Sequence, residues 1–189
     1  MRLRIQRTRP MLAFAFAASL AVAWTGCGSS GGVIATTIIL TYAPDPGIGL
    51  ATVTTATGAG STNSIAEVEV YITDVLDVLT ASFTLDFDAT SVAFLDFDTS
   101  GSYLGSDGVT IQPIVQQVQS GQLTVGLTRL GANGIDFNGR QLLIRIRFSR
   151  ASSSGTSTLT FSNNDLLDST APPQPIPGVQ WFGGSFQIN

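Results

Sequence analysis

No histidine and no lysine occur anywhere in this chain, and cysteine occurs once, at Cys27. Each absence removes a class of chemistry. A Ser-His-Asp or Cys-His catalytic set needs an imidazole base, and a structural zinc site needs histidine or several cysteines. Neither can be assembled here. Charge of either sign is also scarce, at 12%. Four of the nine arginines (Arg2, Arg4, Arg7, Arg9) fall in the first ten residues, and all thirteen acids lie beyond residue 40. Without the N-terminal segment, five arginines face thirteen carboxylates, a net of −8. So acidic a balance argues against nucleic acid and anionic lipid as partners.

What is present at the start of the chain reads as an address. "MRLRIQRTRP" is a basic segment, and the thirteen-residue run "MLAFAFAASLAVA" that follows is too short to span a bilayer but right for a signal-peptide core. Two processing sites compete. Ala21-Val22-Ala23 fits ordinary secretory cleavage, whereas "WTGC", Trp24 to Cys27, resembles the bacterial lipobox, with Gly26 in place and Trp24 where a leucine-like residue is usual. A free thiol on a secreted protein is an awkward alternative, so Cys27 is expected to carry lipid. Residues 1–26 are then the signal peptide, 27–33 a Gly/Ser tether, and 34–189 the folded domain. By resemblance to sorted lipoproteins, the lack of Asp after the cysteine favours the outer membrane or cell surface.

Beyond residue 34 Gly, Ser, Thr and β-branched residues dominate and no helical period of useful length occurs. Period-two alternation takes its place. "SFTLDFD" puts Phe83, Leu85 and Phe87 on one face and Ser82, Thr84 and Asp86 on the other. "QLTVGLTRL" sets Leu123, Val125 and Leu127 inside against Thr124, Gly126 and Thr128. "QLLIRIRFSR" sets Leu142, Ile144, Ile146 and Phe148 inside against Arg145 and Arg147. With "IATTIILTYA", "SIAEVEVYIT", "VAFLDF", "VTIQPIVQQVQ", "TSTLTFS" and "GVQWFGGSFQI", nine strands are expected. Many short strands with one apolar face each must close on a second sheet, so the fold class is all-β, a β-sandwich.

Laid end to end, these segments resemble a cohesin, the nine-stranded jelly-roll module that binds dockerins. "SFTLDFDATSVAFLDF" is similar to the third and fourth strands of that family, "NGRQLLIRIRFSR" to the seventh, "TSTLTFSNNDLLDS" to the eighth, and "WFGGSFQI" to the last strand with its Gly-Gly bulge. The insert "PDPGIGLATVTTATGAGSTN" departs from the family's compact first turn. The resemblance implies a non-catalytic protein-binding module with a dockerin-like partner. It also implies a flat docking face on the third, fifth, sixth and eighth strands, here Ser82, Thr84, Asp86, Thr124, Gly126 and Thr128.

The tetrad "LDFD" occurs twice, with its paired carboxylates at Asp86 and Asp88 around Phe87 and at Asp96 and Asp98 around Phe97. Paired carboxylates can hydrolyse glycosides, but a catalytic acid also needs a partly apolar cleft to raise its pKa, and nothing in the pattern builds one. An enzyme is not expected. Calcium is a separate possibility. Asp96, Asp98, Ser100 and Asp107, with Gly101 sixth, follow EF-hand loop spacing except for the final Asp. No helix flanks them, and an acidic solvated loop is the plain alternative. No other cofactor is implied. A carbohydrate-binding module taking part in polysaccharide binding or breakdown is the second functional expectation. Such modules usually need a row of exposed aromatics, and the outward positions offer Thr, Ser and Gly. Trp181, Tyr71 and Tyr103 read as packing residues.

Overall fold

The computed structural model describes residues 37–131 and 133–189. The expected signal segment, the lipidation site Cys27 and the Gly/Ser tether lie outside the described residues. Within them run eleven strands: β1 (Leu40–Pro44), β2 (Thr52–Thr57), β3 (Ile65–Val78), β4 (Thr80–Asp86), β5 (Val92–Asp98), β6 (Ile111–Gln119), β7 (Gln122–Arg129), β8 (Ile135–Arg150), β9 (Gly155–Leu167), β10 (Gln180–Trp181) and β11 (Gly184–Ile188). A 3-10 turn, Tyr103–Gly105, interrupts the β5–β6 connection. The strands form two sheets, one ordered β1-β11-β9-β4-β7-β6 and the other β10-β2-β3-β8-β5. All pairings are antiparallel except β10 with β2.

Alternation in the sequence becomes burial. In β4 Ala81, Phe83 and Leu85 are buried, in β7 Leu123, Val125 and Leu127, and in β3 Ala66, Val68, Val70 and Ile72. Facing side chains interlock across the sandwich. Phe87, Phe148, Phe186 and Tyr42 make a chain of aromatic contacts with centroids 5.3, 4.9 and 5.0 Å apart. A second cluster joins Phe83, Phe161 and Trp181 at 5.2–5.7 Å. Trp181 is therefore a packing residue, as is Tyr103, whose ring meets Phe137 edge-on at 5.2 Å.

Three local expectations change. The insert at 44–63 is not all turn: Thr52–Thr57 forms β2, paired with β3 from Thr52↔Thr73 to Thr57↔Val68. Thr-rich "TVTTAT" reads as polar, yet its buried Thr55 hydroxyl donates to the Gly183 carbonyl at 2.5 Å and accepts from Tyr42 Oη at 2.7 Å, so burial leaves that group satisfied. The last expected strand is two, β10 in one sheet and β11 in the other. The crossing falls at Gly183, where a Cβ would lie 1.8 Å from the Leu159 carbonyl oxygen, so no other residue fits. Finally, Leu142 is only half-buried while Leu143 is fully buried. A bulge between Val70↔Ile144 and Tyr71↔Leu142 inserts one extra residue and shifts the inward set by one.

Candidate functional site: the two outer faces

The two acidic tetrads are separated by the fold. Asp86 ends β4 in the six-stranded sheet, whereas Asp96 and Asp98 lie on β5 at the edge of the five-stranded sheet. They decorate opposite faces of the sandwich and form no common cleft. Asp88 caps the turn after β4: its carboxylate accepts Thr90 N and Oγ1 at 2.9 and 2.7 Å and Ser91 Oγ at 2.9 Å. The Thr90 hydrogen bonds hold its pKa below the ordinary carboxylate value.

The six positions expected on a docking face do lie together. β9, β4, β7 and β6 are neighbours in one sheet, and their register aligns transverse rows. Thr80 pairs Thr128, Ser82 pairs Gly126, Thr84 pairs Thr124, and Asp86 pairs Gln122. On the far side of β7, Gln112, Ile114 and Gln116 oppose Thr128, Gly126 and Thr124. On the far side of β4, Asp165, Ser162 and Thr160 oppose Ser82, Thr84 and Asp86. Many of the polar groups are matched within the face. Thr80 Oγ1 donates to Thr128 Oγ1 at 3.2 Å, the Thr84 and Thr124 hydroxyls are 3.4 Å apart, and Asp86 accepts from Gln122 Nε2 at 2.8 Å and from Ser162 Oγ. Thr84 is almost covered by its neighbours. Among these rows stand two carboxylates, Asp86 and Asp165, and no cation.

Alternation in the two named strands did not reveal the apolar part of this face. Ile114 on β6 is 63% exposed, Val118 52%, and Leu130, just past β7, 49%. Ile114 stands beside Gly126, whose missing side chain leaves it proud of the sheet. The signal was readable: "IQPIVQQVQ" carries aliphatic residues on both parities, so some must point to solvent.

The outer face of β3, β8 and β5 is the opposite in character. Arg145 Nε donates to Glu69 at 2.9 Å, and its Nη1 lies 3.9 Å from Asp98 and donates to the Ser100 carbonyl at 2.8 Å. Arg147 forks onto Asp96 at 2.6 and 2.5 Å. Tyr71 Oη donates to Glu69 at 2.7 Å, and the Arg140 guanidinium stacks 3.6 Å from the Tyr71 ring centroid. Glu69 and Asp96 raise the pKa values of Arg145 and Arg147 respectively.

The four oxygen residues with calcium-loop spacing are not gathered on one centre. Asp96 is held by Arg147, and Asp98 folds back onto its own turn, accepting Ser100 N at 2.8 Å and Ser100 Oγ at 2.5 Å. Asp107 is bound by Arg129, Nη2 to Oδ2 at 2.6 Å. The Arg129 side chain is buried and also donates to the carbonyls of Leu104 and Asn133. Ser100's hydrogen bonds lower the pKa of Asp98, and Arg129 lowers that of Asp107. Among the described residues no three acidic, histidine or cysteine side chains come together as a metal donor set. Arginines that line up across the strands take the places a cation would need.

The two sheets thus define an all-β sandwich whose one outer face carries two carboxylates and no cation among its rows and whose other is laced with ion pairs. No family model and no curated protein matches the sequence, but solved structures do match the fold. It is similar to the seventh ScaB type I cohesin of Pseudobacteroides cellulosolvens, at 13% identity and a TM-score of 0.56 over 72% of this chain and 90% of that one. It is similar to the second type II cohesin module of the ScaA scaffoldin of Acetivibrio cellulolyticus, at 13% identity and a TM-score of 0.55 over 75% and 91%. The sixth cohesin of scaffoldin B from Acetivibrio cellulolyticus, solved in complex with a dockerin, matches at 18% identity and a TM-score of 0.50 over 70% and 95%. The fold is cohesin-like.

Proposed function

We propose that this chain is a non-catalytic interaction module that docks another protein, of dockerin type by analogy, on the cation-free face of β9, β4, β7 and β6. One observation carries the reading: the paired rows of that face hold no cation and are tipped with three exposed aliphatic side chains. Removing water from hydroxyls and amides that already bond one another costs far less than stripping ions. Ile114, Val118 and Leu130 supply apolar area that a partner helix can cover. Asp165 at the margin offers a carboxylate for a basic residue of the partner.

The lipobox-like "WTGC" supports a lipid anchor at Cys27, which would hold the module at the outer membrane or cell surface. The missing histidine and the separation of the carboxylate pairs support a role without catalysis. A flat sugar-binding face would need a row of exposed aromatics, and the paired rows of this face hold none. Calorimetry of the protein against dockerin modules of both types tests the proposal. Binding that is lost when Gly126→Arg blocks the face supports it. Failure of every dockerin to bind, or binding indifferent to Gly126→Arg, rejects it.

A further inference from the structure

We propose that a cleft of about 380 Å³ between the 44–49 loop and the outer surface of β2, β3 and β8 is a second ligand site, one that binds a sugar unit. The cleft belongs to the insert that sets this chain apart, and it lies in the other sheet from the cation-free face. Its floor is a transverse row, Thr52↔Thr73↔Arg140, and its wall is the Pro- and Gly-rich loop with Asp45.

Three features point to a ligand. Neither the Asp45 carboxylate nor the Arg140 guanidinium takes part in any of the ion pairs formed among the described residues, although both line the cleft. Stacking on Tyr71 holds the Arg140 plane in position and occupies its face, which leaves the in-plane N–H donors available. Beneath the loop, Thr54 Oγ1 is buried with no hydrogen-bond partner. The loop presses there so closely that a Cβ on Gly47 would lie 2.4 Å from Thr54 Cγ2.

The chemistry selects the ligand class. One cation and one anion cancel, so the cleft has no net charge to attract an ion, and the mature surface as a whole repels anions. A pure acceptor (Asp45), a pure donor (Arg140) and hydroxyls that do both (Thr52, Thr73) match a ligand whose groups each donate and accept. Sugar hydroxyls have that property. The volume suits one or two hexose rings, and the cleft is open to solvent, as a site on a longer chain must be.

Titration calorimetry and saturation-transfer NMR of the protein with cellobiose, maltose, laminaribiose and xylobiose provide the test. At least one disaccharide should bind at about 10 mM or below, and Asp45→Asn and Arg140→Gln should each weaken it tenfold or more with the melting temperature unchanged. Ile114→Lys, on the opposite face, should leave the affinity as it was. The proposal falls if no disaccharide binds, or if binding survives both cleft substitutions. It also falls if inorganic phosphate binds through Arg140 and no sugar does.

Discussion

The two outer faces of this sandwich are built from the same strand geometry and opposite chemistry. On one, threonine, serine and glutamine pair across β9, β4, β7 and β6 with no cation among them. On the other, Glu69, Arg145 and Asp98 form one transverse line and Arg147 with Asp96 another. Each face is content by itself in water, because its polar groups have partners. They differ in what covering them would cost. Exposed ion pairs contribute little to stability, typically under about 1 kcal/mol each, but they resist desolvation and so make a face costly to cover with another protein. A face without ion pairs, whose Asp86 is already hydrogen-bonded by Gln122 and Ser162 and which carries aliphatic tips, costs less to cover. Charge placement, more than shape, distinguishes a surface suited to docking from one suited to water.

The sharpest way to break that contrast is to move charge across it. Ile114→Lys places a cation on the edge strand of the cation-free face, at its most exposed aliphatic side chain. It should weaken a docked partner about 100-fold, or roughly 2.7 kcal/mol, while thermal melting stays unchanged because the side chain is exposed. Equal affinity in that variant would mean docking happens elsewhere. Next in size is Arg145→Met on the ionic face. Glu69, with 14% of its side chain exposed, would keep Tyr71 but lose its cation, and urea denaturation should report a loss of about 1–2 kcal/mol. Partner affinity should not move.

Acid should probe the ionic face and the Asp107 clasp. Ser100 holds Asp98, and Arg129 holds Asp107, below the ordinary carboxylate pKa. Between the folded and unfolded values the unfolded chain therefore binds more protons. The stability these groups supply is complete above about pH 4 and is lost as pH falls through the folded values. Asp98→Asn should flatten part of that decline in a pH series of melting curves, and an unchanged slope would remove Asp98 from the account. The smallest effect expected is that of calcium. With Asp96 on Arg147 and Asp107 on Arg129, millimolar calcium should shift the melting temperature by less than about 1 °C, and a larger rise would restore the loop as a metal site.

Alternation made much of this molecule legible in advance. Phe83, Leu85, Leu123, Val125 and Leu127 are inside because period two in a sheet leaves no other choice once one face is apolar. The same rule put Ser82, Thr84, Thr124, Gly126 and Thr128 on one outward surface. It failed where a single residue is added, as at Leu142 and Leu143, because a bulge resets the parity and leaves no mark in local composition. It also failed at Thr55 in β2, whose buried hydroxyl bonds Gly183 and Tyr42, distant in the chain.

The order of residues alone determined that this chain folds as two apolar-faced sheets, that it lacks the groups for histidine-dependent catalysis, and that its acids lie outside. Only the tertiary structure decided that the two Leu-Asp-Phe-Asp tetrads lie on different sheets, that arginines claim Asp96 and Asp107, and that Asp45 and Arg140 share a cleft. The reason is range. Side-chain alternation is set between neighbours along one strand, whereas charge pairing depends on which strands lie side by side, and that is settled only when the sheets assemble.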